Sequence, residues 1–334
     1  MLLLTGGAGL IGSAILWKLN QLGRSDVIVV DHLGTGEKWQ NLRPLKFADY
    51  FEKDDFQKRL LAGEFDGLFR EIIHLGACSD TTEKDASYLV FNNFAYGKMI
   101  AEYAVANGAR MVYASSAATY GDGEEGFVDD EEGIFRLRPL NKYGYSKQIF
   151  DEWLYHRGWL KAGGPNRSSF VGVKYSNVFG PNEYHKAQMR SMVLRSFEQI
   201  TASGKVGLFK SYRPEYKDGE QVRDFLYVKD AADMTLFFLD AGRNENGLFN
   251  IGFGSVRSWN DLAKAAFAAM DMQPNIEYIE MPETLRPRYQ YLTCLDISKI
   301  RKAGFTRELM TLEDAVKDYA RYFKSMGHLG ELDD

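Results

Sequence analysis

The apolar residues of this chain fall into two alternating patterns. Short unbroken runs, Leu2-Leu3-Leu4 and Val27-Ile28-Val29-Val30, read as strands buried on both faces. Between them, Leu10 to Leu22 carries apolar residues at helical spacing. Further strands are predicted at Glu71-Ile72-Ile73-His74-Leu75 and Arg110-Met111-Val112-Tyr113-Ala114, with a helix from about Ala86 to Asn107 between them. A helix over Tyr143 to Trp159 and a strand over Ser169 to Tyr175 follow. Alternating β and α units with apolar strands predict an α/β fold of the Rossmann type, a doubly wound parallel sheet with helices on both faces.

After about Asn177 the pattern changes. Segments shorten, and Gly, Pro and aromatic residues become frequent. Phe225 to Ala241 reads as a strand running into a helix, Ser258 to Met270 as a helix, and residues 311 to 324 as a terminal helix. These segments predict a smaller, mixed α/β substrate-binding lobe. The expected division gives residues 1–176 to a dinucleotide-binding domain, re-entered near residues 225–255, and residues 177–334 mainly to the lobe.

Composition narrows the field. A chain of 334 residues exceeds what one hydrophobic core usually serves. The net charge is −5 with no run of Lys or Arg, so no nucleic-acid partner is expected. No window approaches the ~20 apolar residues that span a bilayer, and the N-terminus enters a strand pattern without signal-peptide features. Cys78 and Cys294 are the only cysteines, too few for a disulfide framework. The expectation is a cytoplasmic enzyme with neither membrane anchor nor metal.

The segment Thr5-Gly6-Gly7-Ala8-Gly9-Leu10-Ile11-Gly12 follows one predicted strand and opens a helix. Glycines at 6, 9 and 12 permit a close turn whose N–H groups face a pyrophosphate, with the helix dipole favouring that charge. Asp31 ends the second strand, where a carboxylate accepts from a ribose hydroxyl and favours NAD. His32, Lys38 and Lys53 lie close enough in sequence to meet a 2′-phosphate and favour NADP. Leu75-Gly76-Ala77-Cys78-Ser79 closes the strand predicted from Glu71, at the edge where such sheets bind ligands. Cys78 reads as a small wall residue, since no partner that would activate a thiol is evident.

Tyr143 and Lys147 stand four residues apart, which puts them on one helical face. A neighbouring ammonium is expected to lower the phenol pKa, ordinarily about 10, towards a usable base. Ser116, just after the strand predicted from Arg110 to Ala114, is placed at the same sheet edge to hydrogen-bond a reacting oxygen. The combination suits acid/base chemistry on a carbinol beside a hydride acceptor.

With these motifs the chain resembles the extended short-chain dehydrogenase/reductases, and within them the ADP-L-glycero-D-manno-heptose 6-epimerase family. The resemblance runs almost end to end. It is carried by Ala48-Asp49-Tyr50, Thr81-Thr82-Glu83, Ser115-Ser116-Ala117-Ala118-Thr119-Tyr120-Gly121, Asn177-Val178-Phe179-Gly180-Pro181, His185-Lys186, Arg223-Asp224-Phe225 and Arg288-Tyr289-Gln290. It implies bound NADP, an ADP-heptose substrate for lipopolysaccharide core synthesis, inversion at C6 and a homopentamer. By position it makes Tyr143 and Lys186 the two acid/base groups, supported by Lys147 and Ser116. Asn92 and Val178 then join the cofactor contacts already named, which include Lys147 and Lys186. Asn177, Gln188, Arg195, Phe209, Lys210, Ser211, Tyr212, Arg223 and Tyr289 match the substrate surface, Arg223 as bidentate partner of the diphosphate. Departures from the pattern are His32, Leu75, Ala187-Gln188 and a longer segment from Tyr212 to Val222. A 4,6-dehydratase would need an acid and a base after Ser116, where Ala117-Ala118 supply neither. A UDP-sugar 4-epimerase and a non-catalytic dinucleotide sensor stay open as alternatives.

Overall fold

A computed structural model describes residues 1–161, 165–286 and 289–332. Its centre is a seven-stranded parallel sheet. The first six strands are β1 (Leu2–Thr5), β2 (Val27–Asp31), β3 (Asp49–Glu52), β4 (Glu71–His74), β5 (Arg110–Ser116) and β6 (Ser169–Tyr175). Four further strands precede the seventh: β7 (Asn177–Phe179), β8 (Val206–Phe209), β9 (Val222–Arg223) and β10 (Phe225–Tyr227). The seventh is β11 (Gly247–Ile251), which returns to pair with β6. The order is β11-β6-β5-β4-β1-β2-β3. The direction of winding reverses at β1, which opens a crevice between the carboxyl ends of β1 and β4, the place where open α/β sheets take ligands.

The alternation of side chains along the strands builds two cores. Leu2, Leu4, Val27, Val29, Val171 and Val173 face one side, against α1 (Leu10–Gln21) and residues from the second half of the chain. Leu3, Ile28, Val30, Ile72, Met111 and Phe170 face the other. There they meet Phe56 and Leu60 of α2 (Lys53–Leu61), followed by α3 (Ala86–Leu89), α4 (Tyr96–Asn107) and α5 (Lys142–His156). Residues that alternate between two dry faces explain why these strands read as unbroken apolar runs.

The predicted helix from Ala86 to Asn107 is continuous in space, but Val90–Ala95 is a π-helical turn between α3 and α4. Such a bulge inserts a residue and rotates the side chains around it. Here it brings Asn92 and Asn93, both buried, towards the sheet edge. The helix predicted to reach Trp159 stops at His156, and Gly158 turns the chain at φ 69°.

Beyond β6, the remaining elements are α6 (Met192–Ser203), α7 (Val228–Phe237), β12 (Arg257–Ser258), α8 (Trp259–Ala269), β13 (Ile276–Ile279), α9 (Ser298–Lys302) and α10 (Leu312–Ser325). Here β7 pairs β10 and β8 pairs β13 in parallel, whereas β9 and β12 are antiparallel. A capping box between Ser258 and Asp261 fixes the start of α8. Packing of α8 against α10, and of α7 against α1, joins these elements to the sheet.

Candidate active site

A cavity of about 680 Å³ lies along the carboxyl edge of the sheet, and a smaller one of about 160 Å³ adjoins it. They share Gly6, Asp31, Lys38, Gly76 and Ala77. The floor is the glycine turn. Gly6 adopts φ +72°, and a Cβ there would lie 2.7 Å from Gly76 N. A Cβ on Gly12 would lie 2.1 Å from Gly6 O. Gly9, at the N-cap of α1, offers no side chain to the helix, and the first turn holds no acid. The N–H groups there suit an anion, and the cradle is one that side chains would fill. These residues therefore fit a dinucleotide pyrophosphate.

Every sequence-expected cofactor position lines one of the two cavities. Gly9, Leu10, Ile11, Gly12, Leu75, Ser79, Lys147, Val178 and Lys186 line the larger, and His32, Lys53, Cys78 and Asn92 the smaller. Thr5 spans the crevice. Its hydroxyl accepts from Gly76 N (3.0 Å) and pairs with His74 Nδ1 (2.7 Å). Burial holds His74 down to about 3, so the imidazole is neutral.

Asp31 is internally engaged. Oδ2 accepts from Ala8 N (2.8 Å), and Oδ1 from His32 N (2.7 Å) and from the Lys38 ammonium. Lys53 Nζ donates to Asn92 Oδ1 (2.8 Å). Asn93, which no sequence signal singled out, donates to Cys78 O (3.0 Å) and Ser146 Oγ (2.9 Å), and accepts from Cys78 N (2.8 Å). The π-helical turn thus pins the loop after β4 to α5.

Tyr143, Lys147 and Ser116 meet at the larger cavity, as their spacing predicts. Asn141 caps α5 by accepting from Gly144 N (2.8 Å). Tyr143 is hydrogen-bonded with Ser116, which lowers its pKa, but burial is the larger effect and raises it. The expected lowering by Lys147 is therefore corrected. The Lys147 ammonium instead donates to Ala114 O (3.0 Å), and its own desolvation brings it down to about 8. Asp151, one turn along α5, opposes that fall.

Beneath these groups is a buried ion pair. Lys174 Nζ lies 2.8 Å from Asp151 Oδ2, and both side chains are only 1% exposed. Asp151 also accepts from Ser115 Oγ (2.6 Å) and Tyr113 OH (3.0 Å), while Lys174 reaches Thr119 Oγ1 (2.7 Å). The pair ties β5, the Ser116–Tyr120 turn, α5 and β6 to one another.

A further part of the lining comes from the segment after β7. Lys186 lines the larger cavity together with His185, Gln188, Arg190, Ser191, Met192 and Arg195. Burial lowers the Lys186 ammonium, and neighbouring Glu183 opposes the shift. Asn177, Gln188 and Arg195 lie in the same lining. Phe209, Lys210, Ser211, Tyr212, Arg223 and Tyr289 do not line the cavity. Lys210 and Tyr212 instead bind Glu280 at the surface, and Ser211 N donates to Asp218 Oδ1 (2.7 Å). Phe209 packs edge-on against Tyr289, which accepts from Trp259 Nε1 (2.9 Å) and so stands one side chain behind the wall.

Arg223 is buried away from the cavity lining, its guanidinium over the Trp259 and Tyr289 rings (5.4 and 5.3 Å), and it donates to Val222 O (2.9 Å) and Gln290 O. Arg288 lies outside the described residues. Gln290, from the Arg288-Tyr289-Gln290 segment, also lines the cavity, as do Tyr175, Ser176, Trp259 and Thr293, which no local motif marks. Thr293 Oγ1 is buried without a hydrogen-bond partner among the described residues.

Comparison with known proteins decides the affiliation. The model of the NAD dependent epimerase/dehydratase family matches residues 2–252. The chain belongs to that family. It is 47% identical over 323 residues to an ADP-L-glycero-D-manno-heptose-6-epimerase of Nitratidesulfovibrio vulgaris, covering 97% of this chain and 98% of that relative. It is 44% identical over 331 residues to the protein of the same name from Fusobacterium nucleatum, with 97% and 98% covered. The crystal structure of the Helicobacter pylori ADP-L-glycero-D-manno-heptose-6-epimerase superposes with a TM-score of 0.80 at 26% identity, covering 97% of this chain and 96% of that one. Ala117 and Ala118 line the cavity and carry no proton.

Two measurements test this site. Removing one partner of the buried pair leaves a desolvated charge, so Lys174→Met should cost about 3–5 kcal/mol in urea unfolding, and D151L/K174M markedly less. For Lys147 the folded-state pKa lies below the ordinary 10.5. Between about pH 8 and 10.5 the unfolded chain therefore binds the extra proton, and stability from this group rises with pH, its cost being full below about pH 8. Turnover should fall over the same interval as the ammonium beside Tyr143 is lost. A flat activity profile from pH 8 to 10 would contradict the assignment.

Proposed function

We propose that the chain is an ADP-L-glycero-D-manno-heptose 6-epimerase, an isomerase that inverts C6 of a nucleotide-linked heptose destined for the lipopolysaccharide core. The observation that carries this reading is the arrangement of proton carriers. Tyr143 on α5 and Lys186 on the segment after β7 line one cavity, and the glycine turn forms its floor. Inversion requires proton transfer on both faces of one carbon, so a single acid/base group does not suffice. The near full-length likeness to proteins bearing that name supports the choice of sugar over a UDP-sugar 4-epimerase.

When bound, the nicotinamide dinucleotide supplies the hydride acceptor and donor. The protein's own groups do the rest. Tyr143 Oη takes the C6 hydroxyl proton, and Ser116, hydrogen-bonded to Tyr143, shares the developing charge. The Lys147 ammonium, desolvated beside them, stabilises the phenolate as it forms. Lys186 Nζ serves the opposite face, giving a proton to the alkoxide there. Its lowered pKa makes it a better donor than a solvated lysine. The retention of Tyr143, Lys147 and Lys186 in one cavity speaks against a non-catalytic sensor.

NADP is the cofactor we infer. Both oxygens of Asp31 are engaged and its charge is matched by Lys38, while Lys53 and His32 add cationic and hydrogen-bonding capacity in the smaller cavity. That balance suits a 2′-phosphate better than a ribose hydroxyl. A homopentamer in the cytoplasm rests on family resemblance alone, and no described helix is long and apolar enough to cross a membrane.

Incubation with ADP-D-glycero-D-manno-heptose, followed by NMR, should show the L-glycero epimer, and UDP-galactose should stay unchanged. Tyr143→Phe and Lys186→Met should each reduce turnover by about 10²–10⁴-fold. Near-normal turnover in either variant would remove that residue from the mechanism. Cofactor released from the purified protein by denaturation should have the mass of NADP rather than NAD.

A further inference from the structure

Lys186 reaches the cavity from a turn that its sequence does not favour. The next residue, Ala187, adopts φ 46° and ψ −116°. These are the angles of the first central residue of a type II′ turn, a position that glycine occupies at no steric cost. Alanine there is strained and persists only where surrounding contacts over-determine the backbone.

Such contacts surround Ala187. Arg190 Nε donates to Ala187 O (2.7 Å), and Arg190 Nη1 is held by Glu198 of α6. Arg195 Nη2 likewise donates to the carbonyl of the next residue, Gln188. Upstream, Glu183 is fully buried and accepts from Ser191 N and Ser191 Oγ, each at 2.6 Å. The turn is therefore clamped at both ends to the start of α6. A charged guanidinium on a carbonyl is among the stronger hydrogen bonds a protein forms.

We infer that Arg190 is a positioning residue for Lys186: braced by Glu198, it holds the Ala187 carbonyl and keeps the proton carrier aimed into the cavity from a strained turn. The inference rests on the reading of Lys186 as a proton carrier. It assigns Arg190 no contact with the substrate, although the side chain lines the same cavity.

The decisive comparison is a cycle of R190M, A187G and R190M/A187G, with kcat, KM and amide hydrogen exchange of residues 184–189 measured for each. R190M should lower kcat about 10- to 100-fold, the usual effect of a slightly misplaced catalytic group, with little change in KM. It should also speed exchange in the turn. A187G should be close to the parent protein. In the double variant, glycine adopts the turn without help, so kcat should return to within about threefold and exchange should slow again. Unchanged kcat and exchange in R190M would overturn the inference. So would a loss that glycine does not repair, or one expressed only in KM, which would make Arg190 a substrate contact. K186M, assayed in parallel, separates the two layers. If it retained turnover, the proton-carrier role would fall, while the exchange data would still judge the clamp.

Discussion

The buried pair of Asp151 and Lys174 is the constraint on which the catalytic wall depends. Two charges withdrawn from water must be fully satisfied by neighbours, and here they are met by Ser115, Tyr113 and Thr119. Asp151 sits two turns beyond Tyr143 on α5, Lys174 belongs to β6, and Ser115 directly precedes Ser116 on β5. Any sliding of these elements would leave a desolvated charge unpaired. The network consequently fixes the geometry between Tyr143, Lys147 and Ser116. It also supplies the negative charge that keeps Lys147 from falling further in pKa.

The cavity concentrates groups that work against stability. Tyr143 is raised by burial, Lys147 and Lys186 are lowered by it, and Ala187 holds a backbone conformation suited to glycine. Each is a local conflict, and together they mark the place where folding preferences yield to chemistry. Elsewhere local preference and structure agree: the apolar residues of β1 and β2 are buried on both faces, Ser258 caps α8, and the glycine turn is built for close approach.

The fold is shared with enzymes of several chemistries, so it leaves the reaction undecided. What narrows the reaction is small. Two alanines after Ser116 line the cavity without a group that could act as acid or base, and Lys186 brings a second ionisable side chain to the same cavity as Tyr143. These parts of the lining come from different parts of the chain, one from α5 and β5, the other from the turn after β7.

The sequence by itself determined the sheet's first strands, the glycine turn and the Tyr143–Lys147 pairing, because each is a local matter. Apolar runs define buried strands, and residues four apart share a helical face. It did not announce β3, an edge strand whose residues are only half-buried or exposed and so carry no apolar pattern. It gave no sign that Asp151 and Lys174 are a pair, since 23 positions separate them and either alone reads as a solvated surface charge. Only the tertiary structure decided that Arg223 donates to backbone carbonyls beside two aromatic rings, or that Trp259 at the start of α8 and Thr293 from the loop before α9 reach the cavity. The direction of the Tyr143 shift was likewise beyond the sequence. Spacing places a cation nearby, but how much water the surrounding chain excludes determines whether charge attraction or desolvation prevails.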